Sequence, residues 1–123
     1  MFGDTPAFSS FSVNDLDVAK KFYGETLGLN VMERPEGIGF ELNGGGRVFM
    51  YPKDDHVPAT FTVLNFQSGD LDGDVAKLAA KGITFESYEH TDENGINRGP
   101  EGPAIAWFKD PAGNFLSVVE GDM

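Results

Sequence analysis

The strongest constraint on this chain is that its second half repeats its first. Asp15 and Asp70 each open a stretch whose apolar residues recur at three- and four-residue steps. Gly28-Leu29 and Gly82-Ile83 close those stretches, at an offset of about 55 residues. Leu16, Ala19, Phe22, Tyr23 and Leu27 form the first apolar stripe and predict a helix over 15–27. Leu71, Val75, Leu78 and Ala79 form the second and predict a helix over 70–81. An aspartate at the start caps open amides and suits the helix dipole, and a glycine at the end accepts the left-handed turn.

Strands fill the space around the two helices in the same order. Residues 7–13 read as a strand that Asn14-Asp15 ends, and 30–33, 38–42 and 47–51 as three more. Asn43-Gly44-Gly45-Gly46 is a turn between the last two. In the second half, Thr60–Gln67 alternates, with Phe61, Val63 and Asn65 on one face and Thr62, Leu64 and Phe66 on the other. Ile83–Tyr88 reads as a strand, and 104–109 and 114–120 as a hairpin about Asp110-Pro111-Ala112-Gly113. The expected architecture is α+β, with modules over about 5–53 and 59–121 in one domain of 123 residues. The polar stretch 89–103 is long for a compact domain and is either a lid over a pocket or an ordinary surface loop.

Composition narrows the partners. At 40% hydrophobic and 24% charged residues the chain can bury a core, which argues against disorder. Net charge is −11, and the nine Lys and Arg residues are scattered. No basic patch exists to follow a phosphate backbone or an anionic membrane, so nucleic acid and membrane are excluded as partners. The acidity suits solubility and is also compatible with a cationic ligand. The absence of cysteine removes disulfides, thiolate metal sites and thiol catalysis together. The N-terminus has neither a basic segment nor an apolar run of signal length, and no stretch approaches the roughly 20 apolar residues of a membrane span. A cytoplasmic location is the expectation.

Two motifs at opposite ends carry a family resemblance. Ser12-Val13-Asn14-Asp15-Leu16-Asp17, with Ala19, Phe22-Tyr23 and Leu27-Gly28-Leu29, is one. Trp107-Phe108-Lys109-Asp110-Pro111-Ala112-Gly113-Asn114 is the other. With the repeat between them, nearly the whole chain resembles the vicinal-oxygen-chelate superfamily, which includes glyoxalases, bleomycin-resistance proteins and extradiol dioxygenases. The resemblance implies two βαβββ modules forming a cup-shaped, mostly antiparallel curved sheet with helices on the outside. It also implies a homodimer.

Metal-dependent relatives take His, Glu or sometimes Gln ligands from the first and last strands of each module. The first-strand position lies seven residues before the helix-opening Asp, which gives Phe8 and Val63 here. The closing-strand position lies three residues after the Asn of the turn and gives Ser117; the matching step after Gly46 gives Phe49. Phe and Val have no lone pair to offer, and a neutral hydroxyl is a weak ligand for a hard divalent ion. The flanking Ser9, Ser10, Thr62 and Leu64 supply no usual ligand either, and a shift by one residue turns the side chain to the other face; Glu41 and Glu120 are the nearest carboxylates in the closing hairpins. The expectation is no metal and no cofactor.

Alternation then defines an interior: Phe8, Ser10, Phe61, Val63 and Asn65, with Phe49, Tyr51, Trp107 and Ser117. This apolar and aromatic lining with a few hydroxyl and amide groups fits a small-molecule pocket, and it equally fits a packed core. His56 and His90 are the two histidines, each in a polar loop context, solvated or available as a general base. Asp92-Glu93-Asn94-Gly95 lacks the terminal Glu of a calcium loop. Arg98 is either a surface charge or a clamp for an anionic group. Two function classes follow. One is a metal-free protein that binds a small organic molecule. The other is a lyase, isomerase or dioxygenase relative acting through a non-standard metal site or without metal.

Overall fold

Asp15 Oδ1 accepts the Val18 amide at 3.1 Å, and Asp70 Oδ1 accepts the Gly73 amide at 3.1 Å. Each aspartate thus satisfies one of the amides that a helix start leaves open, as the repeat predicts. The two closing glycines also match, with φ of +76° at Gly28 and +93° at Gly82. The computed structural model describes residues 1–100 and 102–121; Glu101, in the predicted polar loop, lies outside the described residues.

The chain divides into two compact units, Met1–Pro58 and Ala59–Met123. The first unit runs β1 (Ser9–Val13), α1 (Leu16–Lys21), a π-helical turn (Phe22–Thr26), β2 (Val31–Arg34), β3 (Gly37–Glu41) and β4 (Arg47–Pro52). Its sheet has the order β1-β4-β3-β2, with β1 parallel to β4 and the other pairs antiparallel. The second unit runs β5 (Thr62–Ser68), α2 (Leu71–Ala80), β6 (Ile96–Asn97), β7 (Ile105–Lys109) and β8 (Phe115–Glu120), in the equivalent order β5-β8-β7-β6. The fold is α+β, built from paired βαβββ modules.

Each helix buries part of its stripe, Ala19 and Tyr23 in the first unit and Leu71 and Val75 in the second, while Ala79 is exposed. In the first unit Tyr23 is fully buried, stacks on Phe40 at 5.7 Å and meets Phe11 at 6.2 Å; Ile38, Val48 and Met50 complete that core. Burying side chains of this size is worth about 1.5–3 kcal/mol each, and an aromatic pair adds about 0.5–1.5 kcal/mol. In the second unit Leu71 and Val75 of α2 are buried, as are Leu64, Ala106, Phe108, Leu116 and Val118 of the sheet. The Asp110 turn locks the β7–β8 hairpin. Asp110 is buried, and its Oδ1 accepts the amides of Ala112 and Asn114 at 2.9 and 2.8 Å.

Three local features differ from the pattern reading. The predicted single helix over 15–27 changes pitch at Phe22, where the Leu27 amide reaches back five residues to the Phe22 carbonyl at 3.0 Å. Apolar spacing cannot separate the two pitches over a single turn. The segment 83–88 is not a strand. The Glu86 amide makes one bond to the Trp107 carbonyl at 2.8 Å, and Phe85 and Tyr88 are held by ring contacts with Phe108 and Trp107. The free edge of β7 is taken instead by Ile96 and Asn97, inside the predicted loop. Asp92 delivers them there: its Oδ1 accepts the amides of Asn94 and Ile96 at 2.8 and 2.9 Å, which closes a tight turn.

The third difference is a bulge in β5. Pairing with β8 steps from Thr62↔Phe115 to Leu64↔Leu116, leaving Val63 as the extra residue. Strict alternation through Phe61, Val63 and Asn65 is therefore interrupted. Phe61 precedes the strand and is 68% exposed.

Candidate functional site

The sheet face turned away from α1 in the first unit carries a row that crosses four strands. Ser10 pairs with Phe49, Phe49 with Gly39, and Gly39 with Met32. Gly39 supplies no side chain, so the row has a gap between Phe49 and Met32. A Cβ there would have open space apart from the Val48 carbonyl at 3.4 Å. Phe8 meets Phe49 edge-on at 6.5 Å, and Tyr51 stacks on Phe49 at 6.3 Å. A pocket of about 300 Å³ occupies the gap. Phe8, Met32, Gly39 and Phe49 line it, and its rim carries Arg34, Glu36, Glu41 and Arg47. This volume sits at the small end of ligand sites, which typically run from about 300 to 1,000 Å³.

The corresponding face of the second unit holds a second row, Asn65, Ser117 and Trp107, paired in register across β5, β8 and β7. Ser117 is fully buried, and its Oγ lies 2.5 Å from Asn65 Oδ1. The amide oxygen can only accept, so the hydroxyl donates. Trp107 is half-buried and carries Tyr88 edge-on at 5.7 Å. Partial desolvation, with the Glu86 charge second, raises the Tyr88 hydroxyl above its ordinary value. A separate hollow of about 370 Å³ lies beside α2 and is lined by Val75, Ala79, Phe85 and the Asp92 turn.

The predicted residues therefore fall in two groups, each described within its own unit. Phe8 and Phe49 line the pocket, with Ser10 and Tyr51 on the same face, while Phe8 itself is 63% exposed. Asn65, Ser117 and Trp107 form the second row, with Val63 on the bulge and Phe61 outside the strand. Sequence reasoning missed Met32, Arg34, Gly39 and Arg47, because it followed only the first and last strands of each module. The signal was present in the Gly37-Ile38-Gly39 alternation and the Asn43–Gly46 turn, which together fix the register of β3 against β4.

The remaining candidates resolve simply. His56 Nδ1 lies 2.6 Å from Ser12 Oγ, which ties the segment after β4 to β1. His90 is exposed. Arg98 forms an ion pair with Asp72 and lies 3.8 Å from Asp92, so it braces the Asp92 turn against α2.

A family model described as the glyoxalase/bleomycin resistance protein/dioxygenase superfamily matches residues 8–118. The chain belongs to this superfamily. Solved structures of similar fold include a lactoylglutathione lyase from Agrobacterium tumefaciens, 21% identical, with a TM-score of 0.70 and coverage of 97% of this chain and 96% of that one. An antibiotic binding protein from Streptomyces sp. CB03234 is 20% identical, with a TM-score of 0.69 and coverage of 97% and 98%. A fosfomycin resistance protein from Listeria monocytogenes is 14% identical, with a TM-score of 0.74 and coverage of 98% and 95%. No curated protein matches the chain.

The superfamily's metal-dependent members set the test for this chain's donor set. Phe8, Phe49 and Val63 offer no lone pair, and the Ser117 hydroxyl is buried with its proton directed at Asn65. Among the described residues, no three His, Cys, Asp or Glu side chains converge on one point. These residues do not fit a divalent metal.

Proposed function

We propose that this superfamily member is a single-domain protein that binds a small organic molecule without a metal or cofactor. The observation that carries the reading is the Gly39 gap between Met32 and Phe49, which leaves an apolar pocket with charged groups only at its rim. An apolar floor supplies affinity by burial, and a few rim groups supply orientation. The antibiotic-binding relative gives the reading a precedent within the same fold. Within the first unit, Phe8, Ser10, Phe49 and Tyr51 would contact the ligand. Within the second unit, Asn65, Trp107 and Ser117, with Phe61 and Val63, form a candidate row of their own.

The reading extends to a homodimer in the cytoplasm, with small molecules rather than nucleic acid or membrane as partners. Exposed Val57 is an apolar group that a second copy would cover. Among the described residues no helix is long and apolar enough to cross a membrane.

One contact favours a second reading, a metal-free enzyme. The Ser12 hydroxyl at 2.6 Å from the His56 imidazole has the form of a nucleophile beside a base. Neither residue lines the pocket, so the binding reading is preferred.

A thermal-shift panel of small aromatic and aliphatic molecules, run with chelator present, tests the proposal. A ligand at one hundred times its Kd should stabilise the fold by about 2.7 kcal/mol. No stabilisation by any organic molecule, together with turnover that depends on His56, would transfer the chain to the enzyme class.

A further inference from the structure

The rim of the first unit's pocket carries charge that a purely apolar ligand would not use. Arg34 ends β2 and Arg47 begins β4. Both strands run antiparallel to β3, so they are parallel to each other. Arg34 lies two residues beyond Met32, and Arg47 lies two residues before Phe49. The two arginines therefore stand at opposite ends of the strip formed by Met32, Gly39 and Phe49.

Neither arginine side chain has an ion pair or hydrogen bond among the described residues. This sets them apart from Arg98, Lys20, Lys53 and Lys109, each of which has a carboxylate within 4.0 Å. Two of the chain's three arginines, both unpaired, line one pocket.

We infer that this pocket takes a monoanionic organic molecule, an aromatic or otherwise apolar body bearing one carboxylate or sulfonate. The inference rests on the small-molecule reading above. The apolar body covers Phe8, Met32 and Phe49 and fills the space over Gly39. A guanidinium at the rim presents a planar fork that matches a carboxylate in two parallel hydrogen bonds, and it loses less hydration than an ammonium would. The net charge of −11 does not oppose this. Acids farther away than the Debye length, about 8 Å at physiological salt, are screened, whereas a direct contact is not. Glu36 and Glu41 share the rim, and Glu41 sits opposite Arg47 in the β3–β4 register. The two glutamates balance the two arginines, so the rim as a whole gives no net attraction for a second negative charge.

The test is calorimetric titration of the full chain, in chelator, with three probes of one shape: 1-naphthoate, 1-naphthalenemethanol and 1-naphthylmethylamine. The naphthoate should bind at least about tenfold tighter than the alcohol, a difference of about 1.4 kcal/mol. The amine should bind weakest. Arg34→Gln and Arg47→Gln should each narrow that preference, and the double variant should remove it by weakening naphthoate at least about tenfold more than the alcohol. Both positions are exposed, so these variants keep the fold. Equal affinity for naphthoate and alcohol in the unaltered chain overturns the charge recognition and leaves the small-molecule reading standing. Tightest binding by the amine overturns it in favour of the two glutamates. Binding of none of the three, with no stabilisation by the wider panel, overturns both readings.

Discussion

Ser117 Oγ donates a 2.5 Å hydrogen bond to Asn65 Oδ1 across the β5–β8 pair. The two partners differ in burial: Ser117 is fully buried and Asn65 is exposed. Removing them should therefore have unequal effects. Ser117→Ala leaves the Asn65 amide free to bond water and should cost about 1 kcal/mol. Asn65→Ala leaves a buried hydroxyl without its acceptor and should cost more, up to about 3 kcal/mol. Urea denaturation of both variants checks the order, and a larger loss for Ser117→Ala would contradict it.

Two glycines two residues apart on β3 should respond unequally. A Cβ at Gly37 would lie 2.1 Å from the Met50 carbonyl oxygen, a backbone atom that cannot move without breaking the β3–β4 pair. Gly37→Ala should destabilise by several kcal/mol, beyond the roughly 1–3 kcal/mol typical of overpacking. At Gly39 the nearest atom is 3.4 Å away, so Gly39→Ala should be tolerated with a small loss. Gly39→Leu should instead fill the pocket and abolish probe binding. Thermal melts and probe titrations of the three variants separate these outcomes.

The legibility of the sequence follows the range of the forces involved. The Asp15 and Asp70 caps and the Asp110 turn depend on neighbours a few residues away, and they stand where local pattern puts them. The edge of β7 depends on competition. Ile83–Tyr88 has the better strand composition, but the Asp92 turn holds Ile96 and Asn97 in register with β7, and Phe85 and Tyr88 are held by rings. The Val63 bulge arises from pairing with β8, which no single-strand period reports. The pocket was half legible: Phe8 and Phe49 follow from the superfamily's strand positions, whereas Met32, Arg34 and Arg47 need the β2–β3–β4 register.

The Asp92 turn should carry a pH signature. Hydrogen bonding from the Ile96 amide, opposed by partial desolvation and helped by the Asn94 amide and the Arg98 charge, holds its carboxyl below the ordinary value of 3.8. The folded state thus favours the ionised form. That contribution is fully present above the unfolded value and is lost as pH falls through the lower folded value. The stability gap between the unaltered chain and Asp92→Ala should be constant from pH 7 to about pH 5 and shrink below about pH 4. A gap that widened on acidification would contradict the assignment.

Metal removal should be silent. Elemental analysis should find far less than one Zn, Ni, Fe or Mn per chain, and chelator should leave the melting temperature unchanged, because no bound ion adds to folded-state stability. Equimolar metal that leaves together with several degrees of stability would contradict the metal-free binding reading and favour an enzyme acting through a non-standard metal site.

The central claim is that the Gly39 gap binds an organic molecule without metal. The most direct measurement is amide chemical-shift mapping of the full chain titrated with 1-naphthoate in excess chelator. The account predicts saturable shifts concentrated at Phe8, Met32, Arg34, Gly39, Arg47 and Phe49, the residues that line the pocket. Shifts confined to the hollow beside α2, or binding that appears only when a divalent cation replaces the chelator, would contradict it.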